Sequence, residues 1–246
     1  MNDALARSPS GSRSGKRIAV VQSSYIPWKG YFDLMRRVDE FVLFDDVQFT
    51  RRDWRNRNRI KTPQGLTWLT IPVETKGNYR RAIKDMRVSD PTWSSKHWTT
   101  IRHAYSKAPC FVEYGSRVEE LYGGASHERL SEINFYFLVA LRDMLGIDTP
   151  ITWSMDYEVA GRKSERLVSL CLQAGATEYL SGPTARSYLD EDMFSKEGVD
   201  VLWMDYEGYP EYEQLHPPFE HRVSVLDLIF HTGRRALDHL LPDVGR

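Results

Sequence analysis

The sequence predicts an α/β fold with a mainly parallel sheet flanked by helices. Short apolar runs of strand length alternate along the chain with segments whose apolar residues recur every three or four positions. Several of the short runs end in a polar turn with Gly or Pro, as buried strands do. This alternation is typical of parallel sheets whose strands are connected by crossover helices.

The first predicted unit contains a strand, a loop, a helix and a second strand. Residues 18–21 are apolar and mostly β-branched, and they lead into a polar loop. Residues 31–38 carry apolar side chains at helical spacing, and residues 41–44 form a second apolar run that ends at two aspartates. A strand, a helix and a strand in this order usually open a parallel sheet.

The remaining elements continue the alternation. Residues 66–73 predict a strand, residues 91–107 and 126–145 predict helices, and residues 164–175 predict a helix with Ser164 as its N-cap. Strands at 178–180 and 199–204 flank a helical segment at 188–196, and Ser224 and Asp227 form a cap pair before a last helix that stops at Gly233. The span between Thr75 and Leu145 indicates a helical insertion. We therefore predict a Rossmann-like core with that insertion.

Domain organisation and location follow from composition. Residues 1–16 are rich in Ser, Gly, Arg and Lys, so we expect a disordered leader before a single α/β domain at 17–246. No apolar run approaches the roughly 18 to 20 residues that cross a bilayer, and no signal peptide is recognised. Cys110 and Cys171 have neither a metal-ligand nor a redox spacing. We expect a cytoplasmic protein that does not insert into membranes.

Charge is balanced over the whole chain but not along it. Lys and Arg number 33 against 34 Asp and Glu, for a formal net charge of −1. Residues 51–61 contain six basic side chains and one acidic side chain, a local charge of +5, which leaves −6 for the remainder. A block of this kind usually contacts an anionic partner.

The loop after the first predicted strand is a candidate site, because ligands of parallel sheets bind beyond the carboxyl ends of the strands. The helix that follows offers free backbone N–H groups to a phosphate or carboxylate. The candidate residues of this loop are Gln22, Tyr25, Pro27, Trp28, Gly30 and Tyr31. The alternative is that Pro27 and Gly30 only shape a turn over packed rings. No glycine-rich phosphate motif is present.

Three polar residues follow the second predicted strand on the same edge of the sheet: Asp45, Asp46 and Gln48. Adjacent carboxylates on a strand point to opposite faces, so we expect only one of the two to address the first loop, as a base or as a ligand of a hard metal. The alternative is a solvated strand end or a helix cap. The histidines show no metal-ligand spacing, so no metal site is predicted.

The basic block at 51–61 is the strongest local signal for a binding site. Arginine forks bind phosphate or carboxylate, and asparagine amides satisfy polar edges beside them. A strand here would place alternate residues on opposite faces. Its two faces would be Arg55, Arg57 and Arg59 against Trp54, Asn56, Asn58 and Ile60. A charged, solvated sheet edge is one alternative, and nucleic acid as the partner is another.

The last third of the chain supplies residues that we expect to close the same site. Ser181, Gly182, Arg186 and Tyr188 follow a predicted strand, and Tyr212, Gln214 and His216 lie in a proline-rich loop. A turn of small residues lets the backbone approach a ligand, although loop shaping alone explains Gly182 equally well. His97, by contrast, shares an apolar helical face and is predicted to be a core histidine.

These segments together resemble the WbqC-like family of bacteria. The resemblance rests on QSSYIPWKGYFDLMRRVDEFVLFDDVQFTRRDWRNRNRIK, followed by GLTWLTIPV, YLSGPTARSYLDEDMF, PEYEQLH and SVLDLIFHTG. It covers residues 17–233. The family commonly has Gln-Pro after the first strand, whereas this chain has Gln22 followed by Ser23 and Ser24.

The resemblance implies biosynthesis of O-antigen or other surface polysaccharides, or of a natural product, with transfer of glycine or another aminoacyl group to a sugar. The positions that it carries over are Gln22, Tyr25, Pro27, Trp28, Gly30, Tyr31, Asp45, Asp46, Gln48, Trp54, Arg55, Asn56, Arg57, Asn58, Lys61, Ser181, Gly182, Tyr188, Tyr212 and Gln214. A weaker similarity to nucleotidyltransferases and pantothenate-synthetase-like ligases implies a nucleotidyltransferase-like core. Trp28 and Tyr31, however, stand where those enzymes have paired histidines.

We therefore expect a transferase that moves an acyl or aminoacyl group, such as glycyl, to an amine or hydroxyl of a sugar or small metabolite. Asp45 or Asp46 would accept the proton, while Gln22 and Tyr25 would orient the acceptor.

The donor would be held by Arg55, Arg57 and Lys61. Its identity stays open between an activated acyl donor such as aminoacyl-tRNA, an acyl carrier, and ATP. With ATP the protein would be an ATP-dependent carboxylate-amine ligase, and a non-catalytic nucleic-acid-binding protein is the other alternative.

Overall fold

The computed structural model describes residues 15–77 and 80–242, so residues 1–14 of the predicted leader lie outside the described residues. The first strand begins at Lys16, one residue before the predicted start of order. Within the described ranges, no helix has the length and apolar character needed to cross a bilayer.

Seven strands and seven α-helices are found in the described residues. The strands are β1 (Lys16–Val21), β2 (Glu40–Leu43), β3 (Arg57–Thr62), β4 (Gly65–Thr70), β5 (Ile151–Trp153), β6 (Ala176–Ser181) and β7 (Asp200–Trp203). The helices are α1 (Lys29–Arg36), α2 (Trp93–Tyr105), α3 (Phe111–Gly123), α4 (Leu130–Met144), α5 (Ser164–Gln173), α6 (Glu191–Lys196) and α7 (Val225–Thr232). Helix α3 and strand β5 were not among the predicted elements.

Five strands form one parallel sheet in the order β5-β2-β1-β6-β7, which confirms the predicted α/β fold with a Rossmann-like core. The chain leaves β1 toward β2 and later returns to the other side of β1 with β6. The direction of winding therefore reverses between β1 and β6. A switch point of this kind leaves a crevice at the carboxyl ends of the strands.

Both faces of this sheet are covered, which explains the continuous apolar runs in the sequence. Along β1, Ala19 faces one hydrophobic core, while Ile18 and Val20 face the other. Along β2, Phe41 joins the first core and Val42 joins the second. Helices α1 to α4 and α7 contribute to the first core, and α5 and α6 contribute to the second. Parallel strands buried on both sides lack the polar alternation of a half-exposed strand.

The chain between β2 and β5 contains the predicted helical insertion and, before it, an antiparallel hairpin of β3 and β4. Residues 58 and 60 of β3 face inward, and Arg57 and Arg59 face outward, as alternation requires. Trp54 lies before the strand and packs with the arginine face rather than with the asparagine face, so this part of the prediction was wrong.

The structure confirms one predicted helix cap and corrects two other capping residues. Ser164 is the first residue of α5 rather than its N-cap, and its hydroxyl accepts a hydrogen bond from the amide of Asp190 at 3.0 Å. Ser224 does cap α7, since its hydroxyl accepts from the amide of Leu226 at 3.3 Å. Asp227 does not complete a capping box, because its fully buried carboxylate accepts hydrogen bonds from side chains instead.

Candidate functional site

A cleft of about 1150 Å³ opens at the switch point between β1 and β6. Six aromatic rings line it: Trp28, Tyr31, Trp54, Trp203, Tyr206 and Tyr209. Its ionisable lining residues are Arg55, Arg186, Arg222, Asp205, Glu207 and His221. A cleft with aromatic walls and a few polar groups at this position of a parallel sheet is where a ligand is expected to bind. Among the described residues, no group of three or more His, Cys, Asp or Glu side chains is arranged to hold a metal ion.

Trp28 forms one wall of the cleft at the start of α1. Its ring packs edge to face against Tyr206, with 5.2 Å between ring centroids, and against Tyr209 at 6.0 Å. A Cβ atom at Gly30 would stand 2.3 Å from an atom of the indole ring. Gly30 therefore leaves the space that the Trp28 ring occupies, and so it shapes the wall of the cleft.

Arg55 lines the cleft just before β3, with its side chain 12% exposed. Its Nη1 atom donates to the carbonyl of Gln22 at 2.9 Å, and the Tyr31 hydroxyl donates to the same carbonyl at 3.2 Å. Its Nε atom has no hydrogen-bond partner among the described residues and lies 3.8 Å from Oδ2 of Asp53. A guanidinium fixed at one end, with donors left over, is suited to bind an anion.

Two further arginines reach the cleft from the C-terminal half of the chain. Arg186 lies in the turn after β6, with its guanidinium carbon 5.2 Å from the centroid of the Trp203 ring. Arg222 is exposed, and its carbonyl accepts a hydrogen bond from Arg59 at 2.9 Å. Arg186 was named with the Gly182 turn as a residue that could close the site, whereas Arg222 was not predicted.

His221 is the histidine that lines the cleft, and it was not predicted either. Its ring packs edge to face on Phe219, at 4.6 Å between centroids, and its Nδ1 atom has no hydrogen-bond partner among the described residues. Burial, and then the positive charge of Lys29, lower the pKa of His221 below its ordinary value of 6.5. The imidazole is therefore neutral at neutral pH and can accept a proton. Its proximity to Gln214 in the sequence is the one signal that pointed to it.

The two predicted residues Tyr212 and Gln214 bind a buried carboxylate instead of lining the cleft. The Tyr212 hydroxyl donates to Oδ1 of Asp227 at 2.7 Å, and Nε2 of Gln214 donates to the same oxygen at 2.9 Å. Tyr105 donates to Oδ2 at 2.9 Å, so both oxygens of this fully buried carboxylate are satisfied. Asp227 thereby fastens the loop at 210–222, which carries His221, to helix α7.

The predicted bases Asp45 and Asp46 point in different directions, and neither lines the cleft. Asp45 is fully buried; it accepts hydrogen bonds from the amide of Ser23 at 2.8 Å and from the hydroxyl of Ser131. Burial raises the pKa of Asp45. Asp46 forms an ion pair with Arg166 and accepts from the hydroxyl of Ser154 at 2.8 Å. Both carboxylates are thus used within the protein.

The first loop contributes its backbone more than its predicted polar side chains. Gln22 supplies the carbonyl that Arg55 and Tyr31 share. Tyr25 is fully buried in the aromatic core, with its hydroxyl 2.6 Å from that of Tyr122 and 2.9 Å from Nδ1 of His97. The prediction of a core histidine at position 97 is confirmed, since His97 is buried.

The polar residues of the basic block are divided between the cleft and the interior. Asn58 lines the cleft and donates to the carbonyls of Tyr25 and Ile26, at 3.2 and 2.9 Å. Asn56 is buried and donates to the carbonyl of Ile71 at 2.8 Å. Lys61 is also buried; it donates to Oε1 of Gln214 at 2.7 Å and to the carbonyl of Pro218. Asn56 and Lys61 thus hold neighbouring segments together.

Other predicted residues do not line the cleft. Ser181 is buried at the end of β6, and Gly182 precedes the turn that brings Arg186 to the cleft. Tyr188 is 70% exposed on the surface, and Gln48 is exposed beside a bridge to Ala82. The structure therefore brings together Pro27, Trp28, Tyr31, Trp54, Arg55 and Asn58 of the predicted set in the cleft.

Comparison with known proteins identifies relatives that match most of the length of this chain. A family model described as the WbqC-like protein family matches residues 22–239. An uncharacterised protein of Mycobacterium tuberculosis is 49% identical over 225 residues, which is 92% of this chain and 97% of that protein. The chain belongs to the WbqC-like protein family. The predicted resemblance is thereby confirmed, and no solved structure matches the chain.

The WbqC-like match spans the cleft as well as the sheet. Its limits at residues 22 and 239 include the cleft lining from Ser24 to Arg222, and Val21 alone of the lining residues lies outside it. The family assignment therefore covers both halves of the site, namely the aromatic and basic residues after β1 and the residues at 203–222.

Proposed function

We propose that this WbqC-like protein is a transferase that moves an acyl or aminoacyl group from an activated, anionic donor to an amine or hydroxyl of a sugar or similar small metabolite. The observation that carries the proposal is that a histidine of lowered pKa and a half-buried arginine line the same aromatic cleft. These are the groups that acyl transfer needs, namely a base for the acceptor and a cation for the donor.

Recognition of the donor falls to the arginines of the cleft. Arg55 lines the cleft with its guanidinium group, and Arg186 and Arg222 add positive charge from the C-terminal half of the chain. We assign the donor anion to these three residues rather than to Lys61, which is buried against Gln214 and Pro218. A phosphate or carboxylate held by arginine forks is positioned as well as neutralised.

Recognition of the acceptor falls to the aromatic walls. Trp28, Tyr206 and Tyr209 pack against one another and present ring surface to the cleft. Sugar rings and other flat metabolites place their apolar faces on such rings, because the apolar area is removed from water on contact. Glu207 and Asp205 line the same region and supply acceptors for hydroxyl or amino groups.

The chemical step uses His221 as the base. As the acceptor nitrogen or oxygen attacks the carbonyl carbon of the donor, its proton passes to the neutral imidazole. The new bond to the carbonyl carbon forms, and the bond from that carbon to the leaving group breaks. The protonated imidazole then returns the proton to the leaving group, which leaves the enzyme unchanged. Proton transfer by a positioned side chain contributes about 10²- to 10⁴-fold to such a rate.

Mass analysis of reaction products tests the proposal. The purified protein is incubated with acyl thioesters, acyl phosphates and aminoacyl esters, each with a panel of amino and hydroxy sugars. The expected result is an acceptor whose mass increases by that of the acyl group, without nucleotide consumption. ATP cleavage that depends on the acceptor would instead indicate an ATP-dependent ligase. If no donor gives an acylated product, both the transferase and the ligase hypotheses are contradicted.

A further inference from the structure

The hairpin of β3 and β4 presents an aromatic and basic face beside the cleft, and the chemical step above does not use it. The hairpin face consists of Trp54, Arg57, Arg59 and Trp68. Arg59 and Trp68 are direct partners in the strand register, and Arg57 lies two residues before Arg59 on the same face. Trp54 is 39% exposed and Trp68 is 43% exposed. Tryptophan with this much exposed ring, next to arginine, is enriched at binding surfaces.

The four side chains of the hairpin face form one stacked group. The Trp54 and Trp68 rings lie 5.4 Å apart between centroids, at an interplanar angle of 35°. The Arg57 guanidinium carbon lies 4.0 Å from the Trp68 centroid, and that of Arg59 lies 5.5 Å from Trp68 and 5.8 Å from Trp54. Ring surfaces and guanidinium planes therefore alternate over a short distance, and cation–π contacts hold them in place.

The positive charge of this face is not neutralised within the described residues. Arg57 donates to the carbonyl of Arg52 at 2.7 Å, and Arg59 donates to the carbonyl of Arg222 at 2.9 Å. Both partners are carbonyls rather than carboxylates, so no carboxylate balances either guanidinium charge through these hydrogen bonds. The face is thus prepared for an anionic ligand that also has flat rings.

We propose that the hairpin face binds the single-stranded end of an RNA, with bases stacked on Trp54 and Trp68 and backbone phosphates held by Arg57 and Arg59. A polynucleotide has a flat base and a negative charge in every unit, which matches alternating rings and cations. A neutral glycan carries no anionic group with which Arg57 and Arg59 could pair. This inference rests on the proposed function in one respect, namely that the bound RNA is the acyl donor.

Continuity between the two surfaces leads the end of the RNA into the cleft. Trp54 belongs to the hairpin face and also lines the cleft, and the carbonyl of Arg222, another cleft residue, accepts the bond from Arg59. A strand lying on the hairpin face therefore reaches the cleft with its last nucleotide. There the ester bond between the acyl group and the terminal ribose oxygen breaks as the acceptor forms its bond, and His221 passes the acceptor proton to that ribose oxygen.

Binding of unacylated RNA tests this inference without catalysis. Fluorescence anisotropy compares a labelled RNA hairpin that has an unpaired 3′ tail with the same hairpin made blunt. The tailed RNA should bind more tightly. Trp54→Ala and Trp68→Ala should each weaken that binding by at least about fivefold, because a stacked base contributes roughly 1 to 3 kcal/mol. Trp68→Phe should recover part of the loss, since a ring is restored.

Salt dependence separates phosphate contacts from stacking. Arg57→Gln and Arg59→Gln should each lower the slope of log K against log salt concentration by about 0.7, the value for one phosphate contact of a single strand. Arg102→Gln, on the exposed face of α2, is the matched control and should leave the slope unchanged. Circular dichroism of every variant confirms that the fold is retained.

Two results would overturn the inference. The first is no binding of the tailed RNA at low salt. The second is binding that the blunt hairpin matches and that the tryptophan variants leave unaltered, which would indicate general attraction of polyanions. Acyl transfer from a small thioester by a protein that does not bind RNA would overturn this inference and leave the proposed function in place. RNA binding without transfer from any donor would overturn the proposed function and leave RNA binding by the hairpin face in place.

Discussion

The side chain of Gln214 holds both backbone polar groups of Glu220. Its Nε2 atom donates to the carbonyl of Glu220 at 3.0 Å, and its Oε1 atom accepts from the amide of Glu220 at 2.9 Å. The side-chain amide of Gln214 also contacts Asp227 and Lys61, so this one side chain ties the loop before His221 to the interior. Gln214, which the sequence predicts to bind substrate, thus positions His221 in the cleft.

Replacing Gln214 by Leu should lower turnover more than ligand affinity, because the base His221 loses the support of its loop. The free energy of unfolding should fall by about 1 to 3 kcal/mol, since buried partners are left without hydrogen bonds. Urea unfolding and steady-state kinetics measure the two effects. Gln173→Leu is the matched control. Gln173, the last residue of α5, makes the same two-point contact with the backbone of Glu158, and neither residue lines the cleft. Equal kinetic effects of the two variants would contradict a positioning role for Gln214.

Replacing His221 by Asn should reduce turnover by about 10²- to 10⁴-fold and leave donor affinity within about twofold, because only the proton acceptor is removed. The pH profile of the wild-type protein carries a second signature. Since the pKa of His221 is lowered below 6.5, the base is neutral above that pKa, and activity should fall only as the pH drops below 6.5. The acidic limb should be absent from the residual activity of the variant. An acidic limb that persists with the same midpoint would assign it to another group.

Replacing Arg55 by Gln should weaken binding of the anionic donor by about 10- to 100-fold, since a hydrogen bond to a charged group contributes roughly 1.5 to 3 kcal/mol. Arg55→Lys keeps the charge but loses the fork, so it should recover only part of the affinity. Calorimetric titration with the donor measures both. If Arg55→Gln binds the donor as the wild-type protein does, the anion lies elsewhere in the cleft.

Replacing Gly30 by Ala should displace the Trp28 ring, because the new methyl group would stand 2.3 Å from the indole. We expect weaker acceptor binding and a loss of about 1 to 3 kcal/mol in stability, as for other overpacked sites. The emission of Trp28, isolated by difference from a Trp28→Phe variant, reports the displacement. Gly123→Ala is the control, since a Cβ atom there meets nothing within 4 Å. Unchanged emission and binding in the Gly30 variant would show that the wall does not depend on this glycine.

The sheet was predictable because its central strands carry a clear signal. β1 and β2 are apolar segments that lead into polar turns, and burial between two cores produces that pattern. β6 and β7 contain shorter apolar runs that end in polar turns. β5 is only three residues long and half-buried throughout, so it has no comparable signal. Helix α3 has a buried stripe, but Gly115 and Gly123 within it weaken the helical pattern.

The candidate site was predictable in its first half only. Trp28, Tyr31, Trp54, Arg55 and Asn58 lie within one stretch of sequence and do line the cleft. Asp45 and Asp46 look like free carboxylates in the sequence, because the residues that bind them, Ser131 and Arg166, are 86 and 120 positions away. His221 reaches the cleft only because Asp227 fastens its loop, and no local pattern encodes that contact.

The last prediction concerns His97 and the acid stability of the fold. His97 is buried between Tyr25 and the insertion, and burial lowers its pKa from 6.5 to about 4. Between these values the unfolded chain binds a proton that the folded protein does not. Stability from this group is therefore complete above pH 6.5 and is lost as the pH falls toward 4, by about 3 kcal/mol in total.

Unfolding by urea at a series of pH values measures this loss. His97→Gln keeps a polar group near the Tyr25 hydroxyl but has no titrating ring, so its stability should depend less on pH between 6.5 and 4 than that of the wild-type protein. His103→Gln, on the exposed face of the same helix, should follow the wild-type curve. Because the wild-type protein and His97→Gln share every other ionisable group, the difference between their two curves isolates His97. Parallel curves for the wild-type protein and His97→Gln would mean that the protonated ring is tolerated in the core, which requires a rearrangement around Tyr25.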